Sequence, residues 1–212
     1  MCVAIIDYKL GNLHSVKSAC DYVKLPSVIT DDPEVILKSK AVILPGVGAF
    51  KEGMKYLQNS KLDLTIKKFI KTKKPFLGIC LGMQLLFDHS EEFGHHPGLG
   101  VIKGKIVKFD FNLDKNYNYP IPQIGWNKIY LENRKWKNTI LEKNNNEDFM
   151  YFVHSYYAIP EDDCILSKTR YGGIEFCSSI QFENIFATQF HPEKSGKKGL
   201  NIYKYFKKIC KL

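Results

Sequence analysis

"FLGICLGMQLLF", Phe76–Phe87, is the stretch from which the fold can be read. An apolar run enters Gly78, a thiol sits at Cys80, Gly82 follows, and apolar residues continue to Phe87. "PFLGI" (75–79) has the unbroken hydrophobicity of a strand covered on both faces. The residues from about 81 to 88 read as a helix. Gly-x-Cys-x-Gly at such a join matches the nucleophile-elbow pattern, with cysteine in the serine place. The turn would present the thiol at the C-terminal edge of a parallel sheet, where open α/β folds bind ligands. A helix N-terminus favours thiolate, and the Leu81 N–H can face a developing oxyanion. The same pattern also fits a small buried residue in a tight turn.

Upstream, "CVAIIDY" (2–8), "SVIT" (27–30) and "AVILPG" (41–46) read as further strands. "GNLHSVKSACDYV" has helical spacing at Leu13, Val16, Ala19/Cys20 and Val23. "DDPE" carries helix-start chemistry, and two more helices are expected over roughly 50–58 and 62–72. Apolar strands alternating with helices imply a parallel sheet covered on both faces. Downstream, from about 101 to 190, the candidate strands are longer and more alternating: "VIKGKIVKF", "IGWNKIYLE", "FMYFVHSYYA", "CILSKTRY", "EFCSSIQF" and "IFATQF". They predict antiparallel strands added to that sheet. The Asn-rich stretches 112–118 and 144–146 read as surface loops. No repeat or linker interrupts the chain, so residues 1–212 are read as one α/β domain.

The formal charge of +9, from 31 basic and 22 acidic residues, invites a nucleic-acid reading. The lysines are scattered, however. Near the C-terminus they interleave with Leu200, Tyr203, Phe206 and Ile209 at helical spacing, the pattern of a solvated helix face. No nucleic-acid partner is expected, although a basic surface can attract a phosphorylated substrate or an acidic partner. Six cysteines without a Cys-x-x-Cys pair, no signal peptide before the first strand and no membrane-length apolar run suggest a reduced, cytoplasmic protein with mostly buried free thiols.

A thiolate nucleophile needs a base and a group that orients the base. His14 falls in a helical stretch, His89 near a helix end, His95 and His96 in a loop, and His154 in a strand. His191 follows the buried strand "IFATQF" and opens "HPEKSG". Glu193, two residues on, can bond the imidazole and set its tautomer. "ILPGVGAF" (43–50) should neighbour the elbow strand, so its Gly46-x-Gly48 turn can bring N–H groups beside Cys80. A phosphate loop is the weaker reading there, because neither G-x-G-x-x-G nor Gly-Lys-Ser/Thr is present.

The elements "PGVGAF", "GICLGMQLLF", "YFVHSYY" and "TQFHPEKS" occur in the order found in class I, triad-type glutamine amidotransferases, and the chain resembles that family over nearly its whole length. The resemblance implies its flavodoxin-like, three-layer fold, a mixed sheet with helices on both faces. "DYKLGNLHSV", "GLGVIKGKIVKF" and "PQIGWNKI" are similar to segments of the glutaminase subunits of imidazole glycerol phosphate synthases. The resemblance further implies that Cys80 attacks the glutamine side-chain amide, that His191 shuttles the proton and that Glu193 orients His191. It assigns the oxyanion hole to the N–H groups of Gly48 and Leu81, and substrate binding to Gln84, Glu92, Ser155 and Tyr156. Ammonia would pass to a (β/α)8 cyclase subunit acting on a phosphorylated ribulosyl intermediate, in a heterodimer whose interface includes Asn12, Trp126, Asn127 and Lys194. From the residues alone, Asn12 reads as a helix cap and Trp126 as a core aromatic. No metal or organic cofactor is implied. Lys9 stands where the family commonly has glycine, and Gln123-Ile124 where histidine and methionine are frequent. Both departures lie near the expected partner surface, so a paralogous subunit serving acetamidino-sugar biosynthesis stays open beside the histidine pathway. A binding module with a dead site, a cysteine peptidase and a flavodoxin-like redox carrier fit the motifs less well.

Overall fold

A computed structural model describes residues 2–111, 119–132 and 135–212. In chain order its first half comprises β1 (Val3–Ile6), α1 (Leu13–Tyr22), β2 (Ser27–Thr30), α2 (Pro33–Lys38), β3 (Ala41–Gly46), α3 (Phe50–Asn59), α4 (Leu62–Lys71), β4 (Phe76–Cys80) and α5 (Leu81–Gln84). Then follow β5 (Phe87–Ser90), β6 (His96–Pro97), β7 (Ile102–Lys108), β8 (Gln123–Lys128), β9 (Tyr130–Leu131), β10 (Phe149–His154) and β11 (Tyr156–Pro160). The chain closes with β12 (Ile165–Tyr171), β13 (Ile174–Phe182), β14 (Ile185–Thr188), a 3-10 turn (Pro192–Lys194) and α6 (Gly196–Cys210).

Local chemistry sets the early boundaries. The Asn12 side chain accepts the Ser15 N–H and caps α1, and Asp32 caps α2 with Pro33 at its first position. β1, β3 and β4 are buried along their whole length. Alternate residues serve opposite faces. Ala4, Ile6, Val42 and Leu44 join the core containing Leu57, Ile66 and Phe69 of α3 and α4. Val3, Ile5, Ile43, Leu77 and Ile79 join the core containing Val16, Cys20, Ile202 and Phe206 of α1 and α6. This is the expected sheet with helices on both faces.

Among the described residues a mixed twelve-stranded sheet runs β2-β1-β3-β4-β14-β13-β11-β7-β5-β6, with β12 and β9 branching from β13. β3, β4 and β14 are parallel neighbours, with Gly46 opposite Cys80 and Thr188 opposite Ile79. Their C-terminal ends therefore share one sheet edge. The turn after β3, the elbow after β4 and the His191 segment after β14 leave from that edge side by side.

Three expectations need correction. The helix after Cys80 ends at Gln84 instead of about residue 88. The Leu85, Leu86 and Phe87 carbonyls accept the N–H groups of Leu99, Val101, Ile102 and Gly100, so they are withdrawn from helical bonding. His89 accordingly lies on β5, not at a helix end. Second, β8 and β10 do not extend the sheet; they pair antiparallel with each other as a separate ribbon. Third, Asn144 is buried, donating to Asp148 and to the Lys198 carbonyl. The loop expected over 112–118 lies outside the described residues. All six cysteines are free, five of them buried. No helix among the described residues is long and apolar enough to cross a membrane.

Candidate active site

The elbow is built by close approach. Cys80 has φ 53° and ψ −110°, a left-handed conformation that costs a non-glycine residue about 1–3 kcal/mol. A Cβ on Gly82 would lie 1.8 Å from the Leu44 carbonyl oxygen, and one on Gly78 2.9 Å from the Gly82 oxygen. Both flanking glycines are therefore required for α5 to sit on the sheet edge. The Cys80 thiol is buried. It donates to the Val153 carbonyl (3.8 Å) and accepts from Gln189 Nε2 (3.7 Å).

The His191 segment is pinned to the ribbon. Its N–H donates to the Tyr151 carbonyl at 2.9 Å. The Ser195 hydroxyl donates to the His191 carbonyl at 2.6 Å and accepts the Tyr151 N–H at 3.0 Å. His191 Nδ1 lies 2.7 Å from Glu193 Oε1, with side chains 1% and 2% exposed. Among the described residues His191 Nε2 has no hydrogen-bond partner. Burial opposes a charged ring, but the neighbouring Cys80 sulfur and the Glu193 carboxylate outweigh it and raise the His191 pKa to about 10. An imidazolium beside the sulfur is the favoured state, which suits a thiolate nucleophile.

Cys80, Leu81, Gln84, Glu92, Ser155, Tyr156, Gly48 and Lys194 line one cleft of about 460 Å³, together with Val47, Pro122, Val153 and His154. Gly48 has φ 105°, a conformation open to glycine, in the turn beside the elbow. Glu92 accepts the Phe50 N–H at the start of α3. Burial raises its pKa, against the opposing pull of that bond and of His96. Gln84 Nε2 donates to the Tyr156 carbonyl (2.9 Å) and to Gln189 Oε1 (3.0 Å).

Asn12 and Asn127 stand outside the cleft. Asn127 Nδ2 donates to the Arg170 carbonyl and its Oδ1 accepts the Lys128 N–H. Trp126 is not a core aromatic: it is 55% exposed on β8, two residues from Ile124 at 63%. Lys194 lies over the Tyr151 ring. No cluster of three or more potential metal ligands occurs among the described residues. His95 and His96 belong to the β5–β6 hairpin, where the His95 and His89 rings lie tilted to each other with centroids 4.4 Å apart.

Sequence reasoning gave Gln189 no place, left His154 as a strand residue and met Gln123 only as a departure from the family. His154 Nδ1 meets the Tyr156 carbonyl at 2.8 Å and Nε2 meets the Gln123 side chain at 2.9 Å. A signal was available for His154. Met150, Phe152 and His154 share the buried face of β10, and a histidine at an inward register must find partners.

The model of the family "Glutamine amidotransferase class-I" matches residues 4–208. The chain is 45% identical over 210 residues to imidazole glycerol phosphate synthase subunit HisH of Aquifex aeolicus (strain VF5), spanning 98% of this chain and 97% of that one. It is also 45% identical to the subunit of the same name from Methanocaldococcus jannaschii, spanning 96% and 97%. Among solved structures it resembles a glutamine amidotransferase, with TM-score 0.74 and 15% identity over the whole of both chains. It also resembles PurLQS from Thermotoga maritima, with TM-score 0.70 and 18% identity over 96% of each. The two structural likenesses speak for the fold alone. The family model and the two relatives place this chain in the class-I glutamine amidotransferase family, in the branch of the imidazole glycerol phosphate synthase subunits HisH.

Proposed function

We propose that the chain is the glutaminase subunit of an imidazole glycerol phosphate synthase and that its cleft hydrolyses glutamine. The observation that carries this is the Cys80 elbow beside the buried His191–Glu193 pair, in a chain 45% identical to a HisH subunit over nearly its whole length. In this reading the Cys80 thiolate attacks the side-chain amide carbon. The N–H groups of Leu81 and Gly48 hold the oxyanion. The C–N bond breaks as His191 gives its proton to the leaving ammonia. Water, deprotonated by His191, then cleaves the glutamyl thioester, releasing glutamate and restoring the thiol. Glu193 keeps the imidazole oriented. Glu92 meets the substrate's α-ammonium, Gln84 helps hold the substrate, and Ser155 and Tyr156 contact it through their backbone, all four lining the cleft.

The ammonia passes to a (β/α)8 cyclase subunit in a heterodimer. That partner docks on the face carrying Asn12, Trp126, Asn127 and Lys194, a reading supported by the exposure of Trp126 and Ile124 on β8 and by Lys194 at the cleft. The HisH relatives favour the histidine pathway over the acetamidino-sugar alternative. Residues 1–212 act as one domain in a cytoplasmic enzyme. The test is to supply glutamine labelled at its amide nitrogen to the chain with a histidine-pathway cyclase. Label in the imidazole product, undiluted by added unlabelled ammonium, supports the reading. Full dilution would contradict channelling, and an unlabelled product would contradict the whole assignment.

A further inference from the structure

One buried hydrogen-bond chain runs from the ribbon to the nucleophile. The Gln123 side chain meets His154 Nε2 (2.9 Å), and His154 Nδ1 meets the Tyr156 carbonyl (2.8 Å). The same carbonyl accepts from Gln84 Nε2 (2.9 Å), which also donates to Gln189 Oε1 (3.0 Å), and Gln189 Nε2 donates to Cys80 Sγ (3.7 Å). Gln123, His154, Gln84 and Gln189 are each at least nine-tenths buried.

The Tyr156 carbonyl fixes the direction of the links from His154 to Cys80. A carbonyl oxygen only accepts, so His154 Nδ1 and the Gln84 amide nitrogen must both donate to Tyr156. With its nitrogen committed there, Gln84 offers its second N–H to Gln189 Oε1. Gln189 must then turn its own N–H toward the sulfur. In the other direction, burial pushes the His154 pKa down to about 4, so the ring is neutral and Nε2 accepts. Gln123 Oε1 is the atom placed on Nε2; an accepting nitrogen needs a donor, so a half-turn of the terminal amide brings its N–H there.

We propose that Gln123, His154, Gln84 and Gln189 form one relay that aims an amide N–H at the Cys80 sulfur and so favours its thiolate. Gln189 touches the reacting atom. His154 and Gln123 are positioning residues, and Gln123 is the relay's end on β8. The proposal rests on the reading of Cys80 as the nucleophile. Among the described residues, His191, Tyr8, His154, Glu92 and Lys194 are the ionisable groups facing the sulfur or the cleft it opens into. None of them is changed in the variants below.

The experiment is the rate of Cys80 alkylation by iodoacetamide, read by mass spectrometry of the Cys80 peptide across a pH series, without glutamine or partner. Gln189→Leu should slow alkylation about tenfold near neutral pH and raise its midpoint by about one unit, as expected for a lost donor to a thiolate. Gln123→Leu should act in the same direction by about threefold, and Gln123→His, which can still donate, should restore the wild-type midpoint. A purely structural role would change unfolding without moving the midpoint. Unchanged alkylation in Gln123→Leu overturns the relay, whether or not Gln189→Leu folds. Glutaminase activity retained in Cys80→Ala would instead sink the nucleophile reading and leave the alkylation result standing.

Discussion

The elbow at Cys80 and the β8–β10 ribbon meet in one cleft, yet they are finished to different degrees. At the elbow, β4 and α5 are wholly buried and a single added methyl at Gly82 would strike the sheet. On the ribbon, β8 leaves Ile124 and Trp126 in solvent while its inward Gln123 is buried and bonded. The first region is closed by its own chain; the second has one finished face and one open apolar face. Apolar surface of this kind, rimmed by polar groups, is what an association site looks like before association. The comparison separates a site closed by the sheet edge from an apolar ribbon face left open to solvent.

The sharpest way to break that separation is at the sulfur. Cys80→Ala should lower glutamate formation at least about a thousandfold, as loss of a nucleophile does, with thermal unfolding unchanged. Gly82→Ala should destabilise the chain by roughly 3 kcal/mol in urea unfolding, because the Cβ has no room against Leu44. Trp126→Ala should behave oppositely. Stability should hold, while affinity for the cyclase subunit, measured by titration calorimetry, falls about thirtyfold, the cost of an aromatic interface anchor. A stability loss comparable to that of Gly82→Ala would show that the ribbon is core after all.

The two regions should limit the pH dependence of unfolding from opposite sides. The folded-state pKa of His191 is raised from 6.5 to about 10. Its contribution is complete below 6.5 and is lost as pH rises through about 10. Glu193→Gln should flatten that alkaline decline. The His154 pKa is depressed from 6.5 to about 4, so its contribution is complete above 6.5 and is lost as pH falls through about 4. His154→Asn should flatten the acidic limb and leave the alkaline one alone.

The parallel half of the sheet was legible because its strands are short, continuous apolar runs, and β1, β3 and β4 each serve two cores. The meeting of Cys80 with the His191–Glu193 pair was legible because Gly-x-Cys-x-Gly and His-x-Glu are local patterns at strand ends, whereas Gln84, Glu92, Ser155 and Tyr156 were named only by the family resemblance. The helix after Cys80 was overextended, since Leu85–Phe87 is apolar enough to be either state and long-range carbonyl bonds decide it. The ribbon's separation from the sheet was hidden because alternation fixes a strand's faces but not its partner. Gln189 carries no sequence signal of its own, and Gln123 stood out only as a departure from the family; their bonds to Gln84 and to His154 are made by residues far apart in the chain.

The most direct test of the division between a built-in site and an externally controlled face is glutamate release from glutamine by this chain alone, with a histidine-pathway cyclase, and with the cyclase plus the ribulosyl intermediate. Low release alone and a large rise when both are present is the expected result. Fast release by the isolated chain, or no rise beside a cyclase proven active on ammonium salt, would contradict it.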